Sequence, residues 1–423
     1  MQWLPTLTPR RLRQLWYAPL LTVAMSLVLV RLLVMARLLD VHAFAEFSAC
    51  LLVSSSFCML GCLGLQPMLQ REWPVNLVHG QKIRAVIRAS QCNLVALVSA
   101  MGFLILAATG LSVAGLESQL LAVSVLHGVA QQAFLIATTE SRSRGDALGY
   151  AQQQLVRAGL SLMLGAIVAL TTASPLLVIA TEAAVSATLA LAVFRGILLR
   201  AALGWYAAGR LALQRMPRVR WRSALTMMVA LLVAFATLNA DRWVASHLLG
   251  AVGFAQYSFA AIVLAVAQAV QALVNATMYP LLARRYASAG TNVAFGLCVR
   301  AGVAFLTLGA LIAVPVGVLV QYGVARWYPL YAEAAALVPL LLAVGVVRAA
   351  DFWSSFLLIA GQERRLLVIN LVSAVSAALV WLIWAEPWSG RPTTPWDIAL
   401  LAALLSLFSG LASAAAAWRT QRQ

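Results

Sequence analysis

Leu238-Asn239-Ala240-Asp241-Arg242-Trp243 sets an acid beside a base inside an apolar segment, and Leu248-Leu249-Gly250 and Phe254-Ala255-Gln256-Tyr257-Ser258 follow it. A matching order occurs near the start: Arg31, then Leu38-Leu39-Asp40, then Phe44-Ala45-Glu46-Phe47-Ser48. At one constant offset Arg31 falls on Asp241, Leu38-Leu39 on Leu248-Leu249, Phe44-Ala45 on Phe254-Ala255 and Ser48 on Ser258. Further along, Pro67-Met68-Leu69-Gln70-Arg71 echoes Pro280-Leu281-Leu282-Ala283-Arg284. Each echo is loose. Their shared order reads as two related halves, and internal repeats in an apolar chain point to a transporter with its substrate site between them.

Composition agrees. Hydrophobic residues make up 63% of the 423 positions and charged residues 10%, against about 25% charged in an average soluble domain. Apolar runs of roughly 20 residues, each long enough to span a bilayer, recur along the whole chain. The expected fold is an all-α polytopic membrane protein with about twelve transmembrane helices in two six-helix bundles. The first six lie near 16–38, 43–66, 90–111, 117–138, 152–172 and 175–195. The second six lie near 223–247, 252–280, 294–321, 333–360, 365–384 and 396–418. The expected domains are therefore 1–195, a basic linker at 196–222, and 223–423. Arg10, Arg11 and Arg13 precede the first apolar run, which lacks a small-residue cleavage site and reads as an uncleaved helix.

The net charge is +17. In a soluble protein that would raise nucleic-acid binding, but here the basic residues sit between spans and no nucleic-acid partner is expected. With twelve spans, 24 of the 30 basic residues fall on one side, Arg326 and Arg391 on the other, and four inside spans. By the positive-inside rule the rich side, with both termini, is cytoplasmic. Arg157 counts with the basic side in this reading. The linker could lay an amphipathic helix, Leu203–Leu213, on the membrane surface. Trp327-Tyr328-Pro329-Leu330-Tyr331, Trp388 and Trp396 read as an interfacial belt.

No phosphate-binding lysine loop, dinucleotide glycine run, zinc-spaced histidine set or nucleophile elbow is present. No cofactor, metal or catalytic residue is therefore expected. Cys50, Cys58, Cys62, Cys92 and Cys298 lie in or beside apolar spans and read as reduced core residues. His127 reads as a polar contact within a span. The charges inside spans carry the signal, because such groups are costly and face a bundle interior or a watery cavity. Arg31, Arg37, Arg242 and Arg348 are candidate substrate-binding residues, since guanidinium forks match anionic oxygens. Asp241, Asp351 and Glu182, with Asn239, are candidate ion-pair or coupling residues for a proton or sodium ion. Spacing pairs Arg348 with Asp351 and Arg37 with Asp40. The repeat makes Arg31 a plausible partner for Asp241 across the two halves.

The chain resembles the polysaccharide biosynthesis flippases of the superfamily that also holds multidrug-extrusion antiporters. The resemblance rests on Arg37-Leu38-Leu39 through Phe44-Ala45-Glu46-Phe47, Leu63-Gly64-Leu65 and Gln70-Arg71-Glu72. It also rests on Asn239-Ala240-Asp241-Arg242 through Tyr257, on Tyr331-Ala332-Glu333-Ala334, and on Ile359-Ala360-Gly361-Gln362 with Ile369-Asn370. Asp40 and Ala45 stand where the family usually has Gly. The resemblance implies an inverted V of two bundles in the bacterial inner membrane, working by alternating access. Its implied substrate is an undecaprenyl-diphosphate-linked oligosaccharide, handed on to polymerase or ligase machinery. A small-molecule antiporter of the same fold is the alternative. A membrane polymerase or glycosyltransferase is another, though the outer loops are short and carry few acids.

Overall fold

In a computed structural model the chain is described over residues 16–109, 113–385 and 391–422. The expectations placed on Arg10, Arg11, Arg13 and Trp388 fall outside those residues. The described chain is helical, with twelve helices long and apolar enough to cross a membrane. It divides into two compact units, Met1–Leu232 and Val233–Gln423.

The first unit contains α1 (Tyr17–Leu38), α2 (Val41–Leu60), α3 (Leu65–Val78), α4 (Lys82–Ala108) and α5 (Ser118–Ser143). After these come α6 (Ala147–Thr172), α7 (Pro175–Arg200) and the short α8 (Trp205–Gln214). Starts are set by local chemistry: Asp40, Asp146 and Ser174 each accept the N–H three residues on, and Pro175 sits where its missing N–H costs nothing. Helix α3 and the early start of α4 were not expected. Both belong to the basic end, where Trp73, Ala85, Ala89, Phe194, Ile197, Ala208 and Ala224 form one core. That tertiary burial extends the helices beyond their apolar runs. Gly64, at φ +80°, makes the turn into α3, and a Cβ there would stand 1.9 Å from the Ala224 carbonyl oxygen. Helix α8 forms where an amphipathic helix is predicted and buries Ala208 and Ala212.

The unit boundary falls inside α9 (Trp221–Leu248). The second unit continues with α10 (Ala251–Ala260), α11 (Ile262–Trp327), α12 (Ala334–Ala349), α13 (Trp353–Ile359), α14 (Glu363–Ala385) and α15 (Pro395–Gln421). Helix α11 is broken at Gly290 by φ +82° and ψ 178°, so it supplies the end of one span and the whole of the next. The tenth expected span is also discontinuous, since α12 stops at Ala349 and α13 starts at Trp353. Helix α14 shows how these helices meet lipid. Val368, Leu371, Val372, Val375 and Leu379 are exposed on one face, while Ser373, Ala377, Trp381 and Ala385 are buried on the other. Lipid tails are as apolar as Leu, so association rests on close packing of the small face.

Candidate functional site

The buried charges gather into one cluster in each unit. In the first, Arg31 is the polar member of a sparse buried face of α1, with Ala24 two turns and Met35 one turn away. Glu182 lies on the buried stripe of α7 with Val178, Ile179 and Val185. Arg31 Nη1 donates to Glu182 Oε2 at 2.7 Å, with both side chains sealed. Gly165 of α6 admits this approach: a Cβ there would come 3.2 Å from Met35 Cε and 3.6 Å from Glu182 Oε1. His127 of α5 sets Nε2 3.7 Å from the same carboxylate oxygen and Nδ1 2.8 Å from Ser54 Oγ of α2. Gln131 lies 3.4 Å from His127 Nε2. Four side chains from three other helices thus form a network around the Glu182 carboxylate, which keeps Oε1 without a hydrogen bond. Arg157 of α6 is within electrostatic reach of Arg31 and Glu182 and stacks on Phe134 at 5.1 Å.

The placement of Arg157 corrects the sequence reading. It stands ten residues inside a helix that begins at Ala147, about 15 Å at 1.5 Å per residue, so it is an intramembrane cation. Its buried Nε has no hydrogen bond. In place of the expected Arg31–Asp241 pairing, Arg31 takes its carboxylate from Glu182 inside the same unit.

In the second unit Asp241 is fully buried and accepts the Tyr257 hydroxyl at 2.5 Å, from α9 and α10 respectively. Its Oδ1 has no hydrogen bond. Arg348 of α12 donates from Nε to Ser406 Oγ at 2.8 Å and from Nη1 to the Leu238 carbonyl at 3.2 Å, and its Nη2 is left buried without a partner. Arg242 donates to the carbonyl of Ala261 at 3.2 Å, at the junction of α10 and α11. Asn239 bonds the Phe235 carbonyl of its own helix.

The expected Arg348–Asp351 pair is absent, because the helix ends between them. Asp351 instead caps α13, accepting Ser354 N at 3.2 Å and Ser354 Oγ at 2.7 Å. Arg37 is exposed in the last turn of α1, outside the buried cluster. Sequence reasoning gave no role to Ser54, Tyr257 or Ser406, and underweighted His127. Among the described residues no three His, Cys, Asp or Glu side chains are placed to hold a metal.

Chemically, each cluster is a set of ionisable groups held in low dielectric with unsatisfied polar atoms. Buried charges of this kind are costly to keep, and their partners can be exchanged when helices move.

No family model and no curated protein matches the sequence. Solved structures do match its fold. A Vibrio cholerae MATE transporter, VcmN, in mutant form, aligns with TM-score 0.63 at 15% identity, covering 97% of this chain and 95% of that one. An inward-facing multidrug resistance MATE family transporter of the MOP superfamily aligns with TM-score 0.60 at 12% identity over 96% and 95%. The MATE multidrug transporter DinF-BH aligns with TM-score 0.56 at 15% identity over 99% and 97%. The chain has the fold of the MATE transporters of the MOP superfamily.

Proposed function

We propose that the protein is a membrane transporter that moves an anionic substrate by alternating access. The observation that carries the reading is the pair of sealed charge clusters at membrane depth, in a fold otherwise seen in transporters. Arginines outnumber acids in them: Arg31, Arg157, Arg242 and Arg348 against Glu182 and Asp241. An excess of guanidinium favours an anion and disfavours a cation, since like charge costs binding. Glu182 and Asp241, each with one oxygen unbonded, are the groups that a coupling proton or sodium ion would use.

The substrate that fits the sequence motifs best is an undecaprenyl-diphosphate-linked oligosaccharide, crossing the bacterial inner membrane toward a polymerase or ligase. Both termini then lie in the cytoplasm, on the basic side. A second reading, export of small molecules, is favoured by the multidrug transporters among the fold relatives.

Deleting the gene separates the two. Loss of surface polysaccharide with accumulation of the complete lipid-linked unit supports the first reading. Unchanged polysaccharide with heightened sensitivity to small toxic compounds supports the second. In a complemented strain, inserted Asp241→Asn and Arg31→Ala proteins should restore less than a tenth of transport. Full restoration by both removes their role.

A further inference from the structure

A separate site lies at the basic rim of the first unit, and its lining shares no residue with the Arg31–Glu182 cluster. There α3, α4, α5 and α7 enclose a cavity of about 70 Å³ lined by Trp73, Lys82, Glu140, Arg144 and Arg200. Glu140 is buried and acts as an anchor. Arg144 Nε sits 3.2 Å from its Oε1, and Arg200 Nη2 sits 3.1 Å from its Oε2. Arg144 also reaches the half-exposed Asp146 at 3.4 Å. Arg200 is fixed by Nη2, and no other nitrogen of its fork makes a hydrogen bond.

Two polar groups at this cavity have no partner among the described residues. Lys82 is exposed, makes no ion pair, and is the chain's one lysine among 30 basic residues. The indole Nε1 of Trp73 is sealed from water without a hydrogen-bond partner, although the residue is only 1% exposed. An unmade buried hydrogen bond costs about 1–3 kcal/mol, which favours a shift of the indole that opens its N–H to a ligand in the cavity. Three cations against two carboxylates, Glu140 and Asp146, leave the pocket cationic, and the indole adds a donor. Basic pockets between transmembrane helices at this depth recognise phosphorylated lipid head groups.

We propose that this cavity binds a phosphate-bearing anion, with Lys82, Arg144 and Arg200 facing the oxygens and the Trp73 indole donating to one of them. The ligand is a phospholipid head group or free phosphate. The same three span helices favour the lipid. Deeper along α4, α5 and α7 an apolar recess of about 480 Å³ is lined by Asn93, Leu97, Leu126, Ala133, Ala187 and Phe194, suited to an acyl chain. Binding here is independent of what the protein transports.

The full chain, purified in detergent, is titrated with phosphatidylglycerol and with phosphatidylcholine, and bound lipid is counted by native mass spectrometry. Lys82→Gln and Trp73→Phe leave Glu140 paired and test the site without opening it. Arg215→Gln and Arg218→Gln remove equal charge from exposed positions outside the cavity. Phosphatidylglycerol should bind in preference to phosphatidylcholine, and Lys82→Gln should weaken it about fivefold, as one lost cation at a membrane surface predicts. The two outer variants should bind as the wild type does. If inorganic phosphate binds the wild type alone with that same dependence on Lys82 and phosphatidylglycerol does not, the ligand is free phosphate. If both cavity variants bind like the wild type, or the outer variants lose as much, the site is refuted.

Discussion

Arg31 and Glu182 show what a single pair can settle. Both are sealed, so neither charge is stable in the span without the other. Removing one partner of a buried pair costs about 3–5 kcal/mol, whereas replacing both with neutral groups is often close to neutral. Arg31→Ala should therefore lower the thermal midpoint of the purified protein markedly, and Arg31→Ala with Glu182→Gln should recover most of the loss. A double variant no more stable than the single would mean that the contact is incidental. The same logic applies to Tyr257→Phe, which leaves Asp241 with no donor. That change should cost roughly 1.5–3 kcal/mol, the scale of a hydrogen bond to a charged group, and a shift within error of zero would show that water takes over the bond. The individual charges were legible in the sequence because they interrupt apolar runs. Their partners were not. Arg31 and Glu182 are 151 residues apart, and only the packing of both α1 and α7 on α6 brings them together.

Among the elements, the turn into α3 is the least tolerant. Gly64 combines a positive φ with backbone packed against the site of any Cβ. Gly80 has φ +69° and open space around it. Gly64→Ala should leave little folded protein in the membrane, while Gly80→Ala should cost only about 1 kcal/mol, the strain of a left-handed residue. Fluorescence-detected size-exclusion chromatography of the two variants checks this, and equal yields would contradict it. The break before α13 is the element that the apolar pattern hides. No Pro or Gly stands between Ala349 and Trp353, and 333–360 reads as one span. The available signal was Asp351 three residues before Ser354, an N-cap spacing read instead as an ion pair. Arg157 lies inside the expected span 152–172 but was counted with the basic side; the helix starts at Ala147, capped by Asp146, which sets Arg157 deeper still.

For the whole molecule, twelve spans were legible because length and hydropathy alone decide them. The all-helical class follows from the same physics, since exposed backbone in lipid must satisfy its own hydrogen bonds. What an apolar pattern cannot carry is the cargo, because the recognition we propose rests on a few charges whose geometry emerges only on folding. Reporter fusions at the two ends should both report the cytoplasm, as an even span count with this charge asymmetry requires; opposite sides would overturn the topology. The most direct measurement is the rate at which undecaprenyl-diphosphate-linked oligosaccharide crosses the bilayer of vesicles containing the purified protein. The account predicts a rate well above that of protein-free vesicles, reduced at least tenfold by Asp241→Asn. A rate equal to that of empty vesicles, or one untouched by the substitution, would contradict it.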